Sequence, residues 1–301
     1  KLDTQYERVR LSKGSNLKEY WSDFILCEYK TRPDVDLSTV ESVQQVRAVW
    51  IGDEWELHFV CNVEIEVAEA PGKKTVGVDL GINNFAALAY EDGHSELYPL
   101  NCLKQDEYYF SKRIVRCDDS DSDRATRLTQ KKSARRTHYF HILSKHIVQR
   151  CVDERIGTIV IGDLSGIRED KQNGESNDWG KHGNLDLHSW AFDRFTSMVK
   201  YKTEVEGITV KRVSERDTSK SCSCCGQTQK ANRVERGLYV CDDCGTVANA
   251  DVNGAENIRQ KVSPSLACDG GDRSNGWLAQ PSTFLFDSES GCFAPREQAT
   301  S

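Results

Sequence analysis

The sequence contains no apolar run that approaches the ~20 residues of a membrane-spanning helix, and its first residues lack the apolar segment of a secretory signal. It also lacks an excess of positive charge, because 40 Lys and Arg residues stand against 47 Asp and Glu residues, giving a formal net charge of −7. Methionine is nearly absent: Met198 is the only one, and the chain begins with Lys1. These absences argue against membrane and secreted proteins, favour a cytoplasmic protein, and predict an incomplete translation product.

Cysteine is present but unevenly distributed, since five of the 12 cysteines lie within residues 222–244. Clustering of that kind is typical of metal binding in a reducing compartment. Two Cys-x-x-Cys motifs, Cys222–Cys225 and Cys241–Cys244, are separated by 15 residues, as in a four-cysteine zinc ribbon. Four thiolates leave no open coordination position, so we predict a structural zinc ion; the alternative is a coincidental pair of redox motifs.

The order of predicted elements indicates an α/β fold preceded by a β-rich domain. Alternating apolar residues from about Val46 to Val67 predict a β-hairpin, and we assign residues 1–70 to a partial β-rich domain. The later segments predict strands at 75–81, 85–90, 158–161 and 208–213, and helices at 102–156 (broken at 118–123), at 189–205 and from 251. This order is that of an RNase H-like mixed sheet. We place its core at 71–221 and 246–261, the zinc ribbon insertion at 222–245 and a disordered acidic tail at 262–301.

Two acids occupy positions suited to metal binding. Asp79 ends a buried strand within Gly-x-Asp-x-Gly, and Asp251 stands at the entrance of a helix. Each also has an ordinary structural interpretation, because an Asp often caps a turn or a helix N-terminus. In an RNase H-like fold such acids converge on two Mg²⁺ ions for in-line phosphodiester cleavage. We therefore predict a catalytic magnesium site that includes Asp79 and Asp251.

Four segments together resemble TnpB, the OrfB-type transposon-encoded proteins. They are Val76–Tyr90 (VGVDLGINNFAALAY), Ile159–Leu164 (IVIGDL), Asp217–Gly226 (DTSKSCSCCG) and Asp251–Ile258 (DVNGAENI). The resemblance covers about 46–260, with the segments in the family's order. It implies a transposon-associated, RNA-guided DNA endonuclease whose partners are guide RNA and DNA. In such a protein a RuvC-like domain is preceded by a β-rich oligonucleotide-binding (wedge-like) domain, which here corresponds to residues 1–70.

One residue departs from that family pattern. The family usually has Glu-Asp-Leu at the end of the second catalytic strand, where this chain has Gly162-Asp163-Leu164. Asp163 does not replace the missing glutamate automatically, because neighbouring strand residues point to opposite faces. Glu215 is the favoured substitute, since it follows a strand that ends at the same sheet edge; Glu169 and Asp170 are the alternatives. If none of them reaches the site, the chain is a nucleic-acid-binding protein without nuclease activity.

Local basic clusters are the candidate nucleic-acid contacts in this acidic chain. The candidates are Lys131, Lys132, Arg135, Arg136, Arg216 and Lys220. The alternative for the basic run at 131–150 is a solvated helix face. The excess of 25 Asp over 19 Lys, together with the acidic tail, predicts a halophilic archaeal source.

A remote alternative is an actin-like ATPase or sugar kinase, because Gly-x-Asp-x-Gly-x-x-Asn resembles the first phosphate loop of that class. It would need a second Asp-Gly loop after a buried strand, and Asp269-Gly270 is not preceded by one.

Overall fold

The computed structural model describes residues 2–3, 5–12, 24–31, 37–50, 54–117, 119, 122–163, 189–229, 232–235, 237–264, 276 and 278–296. The chain folds as two compact units, residues 1–66 and 67–301.

The first unit is built from β-strands. Strands β1 (Leu2–Asp3), β2 (Arg8–Ser12) and β3 (Phe24–Glu28) form an antiparallel sheet. After a short 3₁₀ helix at Leu37–Thr39, β4 (Val40–Trp50) and β5 (Trp55–Val63) form the hairpin that the alternating pattern predicts.

The second unit contains a mixed α/β fold around a seven-stranded sheet. Its sheet strands are β6 (Lys74–Leu80), β7 (Asn84–Tyr90), β8 (Ser95–Pro99), β9 (Ile156–Asp163), β10 (Thr209–Ser214), β14 (Ser282–Asp287) and β15 (Cys292–Pro295). Its helices are α1 (Asn101–Val115), α2 (Asp123–Asp153), α3 (Ser189–Val205) and α4 (Ala250–Gln260). A separate three-stranded sheet contains β11 (Arg233–Glu235), β12 (Leu238–Val240) and β13 (Val247–Asn249). The strand order of the main sheet is β10-β9-β6-β7-β8-β14-β15.

The helices agree with the sequence prediction, including the break between α1 and α2. Ser122 caps α2, because its Oγ accepts a hydrogen bond from the backbone N–H of Ala125 at 3.3 Å. None of the described helices is both long enough and apolar enough to span a bilayer.

The two faces of the sheet are covered by different elements. Val76 and Val78 of β6 belong to the main core with α2 and α3, where the Phe85 ring lies 5.0 Å from that of Phe140. Residues that alternate with these point towards α4 and the small sheet, which share a second apolar cluster. A Cβ atom at Gly77 would lie 2.0 Å from the carbonyl oxygen of Ala255, so glycine is required where α4 crosses β6.

The prediction of a disordered tail over 262–301 is wrong for β14 and β15. Strand β14 pairs in parallel with β8, and β15 pairs antiparallel with β14. Phe284 and Phe293 pack against Tyr98 with ring centroids 5.4 and 5.6 Å away. Burial of these aromatic rings stabilises the hairpin, although the residues before it are rich in glycine and serine.

Candidate active site and metal centre

The register of three parallel strands brings the predicted acids to one sheet edge. Strands β6, β9 and β10 are neighbours and run parallel, with Val78 paired to Ile161 and Val213 paired to Gly162. Asp79 and Glu215 come shortly after the paired residues of their strands. Because parallel strands end at the same edge, Asp79 and Glu215 flank the position of Gly162.

The side chain of Glu215 lies where a side chain at position 162 would lie. A Cβ atom built on Gly162 would be 2.1 Å from Glu215 Oε1, 2.6 Å from its Cγ and 2.7 Å from its Cδ. These separations are far below van der Waals contact, so Gly162 leaves the space that Glu215 fills. Position 162 is also where the family pattern has its glutamate.

The Glu215 carboxylate is held without a hydrogen-bonding partner at one oxygen. Glu215 Oε1 is buried and accepts no hydrogen bond from the described residues. Burial and the nearby Asp163 carboxylate raise the pKa of Glu215 to about 7, although Lys261 opposes this shift. A buried acceptor of this kind is costly unless a cation or proton satisfies it.

The carboxylate of Asp79 lies against helix α4. A Cβ atom at Gly254 would lie 2.5 Å from Asp79 Oδ2, so glycine at 254 permits the carboxylate to approach the helix. Burial raises the pKa of Asp79 well above its ordinary value, and the carboxylates of Glu215 and Asp251 raise it further, whereas Arg233 lowers it. The three predicted acids therefore lie close enough to interact electrostatically.

Asp251 is not the N-cap of its helix. Asn249 caps α4 instead, since its Oδ1 accepts hydrogen bonds from the N–H groups of Asp251 at 3.0 Å and Val252 at 3.3 Å. The Asp251 side chain is thus released from the capping role that its position suggested. Asn84 donates to its Oδ2 at 2.8 Å, and Arg233 lies 3.3 Å from its Oδ1.

The three carboxylates do not all converge on a single point. Among the described residues, ligand atoms that lie within 4.8 Å of one another occur in two groups, the four cysteines and the trio Asp92, His94 and Glu154. That trio lies at the other end of β6, and Lys74 and Arg150 already pair with its carboxylates at 2.9 and 3.1 Å.

The four predicted cysteine ligands do converge. The Sγ atoms of Cys222 and Cys244 are 3.7 Å apart, and those of Cys225 and Cys241 are 3.6 Å apart. All four thiols lie within 4.8 Å of one another and are free cysteines, so they could hold a metal ion.

Amide side chains of α4 fix this cysteine cluster relative to Asp251. Asn253 donates to the Ser221 carbonyl at 2.8 Å and accepts from the Ser223 N–H at 3.0 Å. Asn257 donates to the carbonyls of Thr218 and Ser221, both at 2.8 Å. The helix that carries the second acid is therefore tied directly to the first cysteine motif.

The residues predicted to contact nucleic acid differ in their ion pairing and in their exposure. On α2, Lys132 pairs with Glu107 at 2.8 Å and Arg135 with Asp106 at 2.7 Å, so both contribute to packing against α1. Lys131 is exposed, and Arg136 is half-buried. Arg216 and Lys220 are both exposed and lie 3.7 and 3.5 Å from Asp217. The alternative acids Glu169 and Asp170 lie outside the described residues.

Sequence reasoning missed two cationic residues of the site. Arg233 contacts Asp251 from β11, and Lys261 follows α4 and donates to the carbonyl oxygens of Ser214 and Arg216, on either side of Glu215. No local pattern distinguishes either residue from other surface cations.

Two family models match the chain in the regions that build this site. The model OrfB_IS605, described as "Probable transposase", matches residues 58–168, and the model "Cas12f1-like, TNB domain" matches residues 192–258. The first match contains Asp79, and the second contains Glu215, Asp251 and all four cysteine ligands. In both regions the chain is similar to TnpB-type proteins.

Individual TnpB-like and Cas12f relatives agree with this assignment. The chain is 28% identical to the TnpB-like protein ORF457 of Acidianus two-tailed virus over 66% of this chain and 44% of that protein. It is 27% identical to the CRISPR-associated endodeoxyribonuclease Cas12f1 of Sulfoacidibacillus thermotolerans over 68% of this chain and 50% of that protein. The chain thus spans half or less of the length of these relatives.

A solved structure of a Cas12f1–sgRNA–target DNA complex shares the fold. The TM-score is 0.50 at 20% identity, and the match covers 70% of this chain and 54% of that one. This likeness supports the predicted α/β class with its inserted cysteine cluster.

Proposed function

We propose that this TnpB-like chain is an RNA-guided DNA endonuclease that hydrolyses phosphodiester bonds with Mg²⁺, and that Glu215 replaces the glutamate missing at position 162. The observation that carries the proposal is the overlap of the Glu215 carboxylate with the volume of a side chain at Gly162. The Cas12f1 relative is named as an endodeoxyribonuclease, and the solved relative is a complex with guide RNA and target DNA.

The residues fit a site for divalent cations. Asp79, Asp251 and Glu215 offer hard carboxylate oxygens, and Glu215 Oε1 is buried without a hydrogen-bonding partner among the described residues. Bound cations would supply Lewis-acid stabilisation and an activated water for phosphodiester hydrolysis. The chain itself holds Asp79 and Glu215 at the ends of parallel strands and holds Asp251 on α4, with Asn84 orienting its second oxygen.

The four thiols fit a structural zinc ion. A tetrahedron with Zn–S bonds of about 2.3 Å has S···S edges of about 3.8 Å. The observed separations of 3.6 and 3.7 Å are close to that length. We infer that the cysteines hold the ribbon fold, and that the ribbon in turn places Arg233 beside Asp251.

An exchange of the two glutamate positions tests the proposal. RNA that co-purifies with the chain is sequenced and programmed against a plasmid target, and Mg²⁺-dependent cleavage is measured for each variant. We expect Glu215→Ala to abolish cleavage. Gly162→Glu should abolish it too, because two side chains then compete for one volume. The double variant Gly162→Glu/Glu215→Ala should recover cleavage, since the glutamate returns to the family position.

Glu169→Ala and Asp170→Ala are the matched controls and should cleave like the parent chain. Full activity of Glu215→Ala would contradict the relocated glutamate, and loss in Glu169→Ala or Asp170→Ala would favour those positions. If the parent chain binds programmed DNA but never cuts it, the endonuclease proposal is wrong and the chain is a guided binding protein.

A further inference from the structure

Helices α2 and α3 meet along a line of five basic side chains, which we call the α2–α3 cluster. It consists of His138, His141 and Lys145 on α2 and of Arg194 and Lys202 on α3. The α2 members are spaced i, i+3 and i+7, so they lie along one stripe of the helix. The stripe is about 10 Å long at the 1.5 Å rise of an α-helix.

The cluster has no acidic partner within the described part of the chain. His138, Lys145 and Arg194 form no ion pair there, whereas Lys132, Arg135 and Arg150 of the same helix α2 all pair with carboxylates. Burial lowers the pKa of His141, and the charges of Lys202, Arg194 and His138 lower it further. The charges that shift His141 are thus all positive.

The cluster is also structurally fixed. Lys202 donates to the His141 carbonyl at 2.6 Å and to Ser144 Oγ at 2.5 Å, which joins the two helices. Burial and the neighbouring Lys145 lower the pKa of Lys202 to about 8. Tyr201, 48% exposed, places its hydroxyl 3.4 Å from His141 Nδ1 and presents an aromatic ring beside the basic side chains.

We propose that the α2–α3 cluster binds the phosphate backbone of an RNA strand. The fold holds these basic side chains together, and no carboxylate pairs with the cluster in the described part of the chain, so phosphate groups would neutralise them. The exposed ring of Tyr201 is suited to stacking on an unpaired base. The cluster flanks the α2–α3 face of the sheet, whereas Asp79 points to the α4 face. The cluster and Asp79 therefore lie on opposite sides of the sheet. The assignment to RNA rests on the proposed function, in which RNA is the second nucleic acid.

Binding measurements test the cluster without using cleavage. The probes are a stem-loop RNA of about 30 nucleotides and DNA of the same sequence, titrated with the full chain over a range of salt concentrations. For Lys145→Gln/Arg194→Gln we expect the RNA dissociation constant at 0.1 M salt to rise about tenfold or more. The slope of log K against log salt should become shallower by about 1.4, for two lost phosphate contacts.

Lys200→Gln is the matched control on α3, because Lys200 already faces Glu204 at 3.9 Å, and it should bind RNA like the parent chain. Circular dichroism checks that the variants remain folded. An unchanged RNA affinity and salt slope in the double variant would overturn the proposal, as would a loss confined to DNA. Asp79→Ala should leave RNA binding intact, so a failure of the nuclease proposal is distinguishable from a failure of this one.

Discussion

Replacing Glu215 by glutamine should remove a pH-dependent destabilisation of the cation-free protein. An ordinary glutamate has a pKa of 4.5, whereas the pKa of folded Glu215 is about 7. Between these values the folded state binds more protons than the unfolded state, so the contribution of Glu215 to stability is present below pH 4.5 and is lost as the pH rises through 7. The difference corresponds to about 3 kcal/mol in the free energy of unfolding. A glutamine side chain at this position cannot ionise, so the variant escapes this loss.

The assay is thermal unfolding of zinc-loaded protein without Mg²⁺, between pH 5 and pH 8. For a unit of this size about 3 kcal/mol corresponds to a Tm difference of roughly 6–12 °C. We therefore expect the Tm of the Glu215→Gln variant to exceed that of the parent chain by an amount that grows towards this value as the pH rises from 5 to 8. Added Mg²⁺ should stabilise the parent chain at pH 8 more than the variant, because the cation satisfies the ionised carboxylate. Glu204→Gln, with a side chain 62% exposed, is the control and should follow the parent curve. Parallel curves for Glu215→Gln and the parent chain would refute the reasoning.

Three further predictions concern the residues around the acids and the cysteines. Arg233→Ala removes the charge that lowers the pKa of Asp79, so calorimetry should find Mg²⁺ binding half-maximal at a higher pH, with Arg233→Lys close to the parent chain. Lys261→Met removes two hydrogen bonds to carbonyls beside Glu215, so urea unfolding should show a loss of about 1 kcal/mol that Lys200→Met does not show. Cys241→Ser should release zinc, measured by atomic absorption, and Cys224→Ser should retain it; equal zinc content in both variants would contradict the assignment of ligands.

The helices and most strands of the core were accessible from the sequence because their signals are local. Apolar periodicity predicts α3 at 189–205, the bounds observed, and the acidic run at 118–123 marks the break before α2. The position of Glu215 followed from topology, since parallel strands that end at one edge bring distant residues together. The cysteine pairs followed from their spacing.

Contacts between distant elements could not be predicted in the same way. Asn84 lies 167 residues before Asp251, and nothing in a turn asparagine indicates that partner. In the sequence, nothing indicates that Lys132 and Arg135 have acidic partners, but in the folded chain both form ion pairs with acids of α1. Asn249 is the N-cap in place of Asp251, because the helix begins at Ala250, two residues before the start that a cap at Asp251 would give.

The C-terminal hairpin has a practical consequence for anyone shortening the gene. Its strand β14 pairs with β8, which would otherwise be an edge strand of the main sheet. A chain cut after Lys261 would keep every predicted metal ligand, yet it would expose an unpaired β8 and the aromatic surface under Phe284 and Phe293. Unpaired edge strands pair with other chains, so we expect the shortened protein to aggregate even though it keeps every predicted metal ligand.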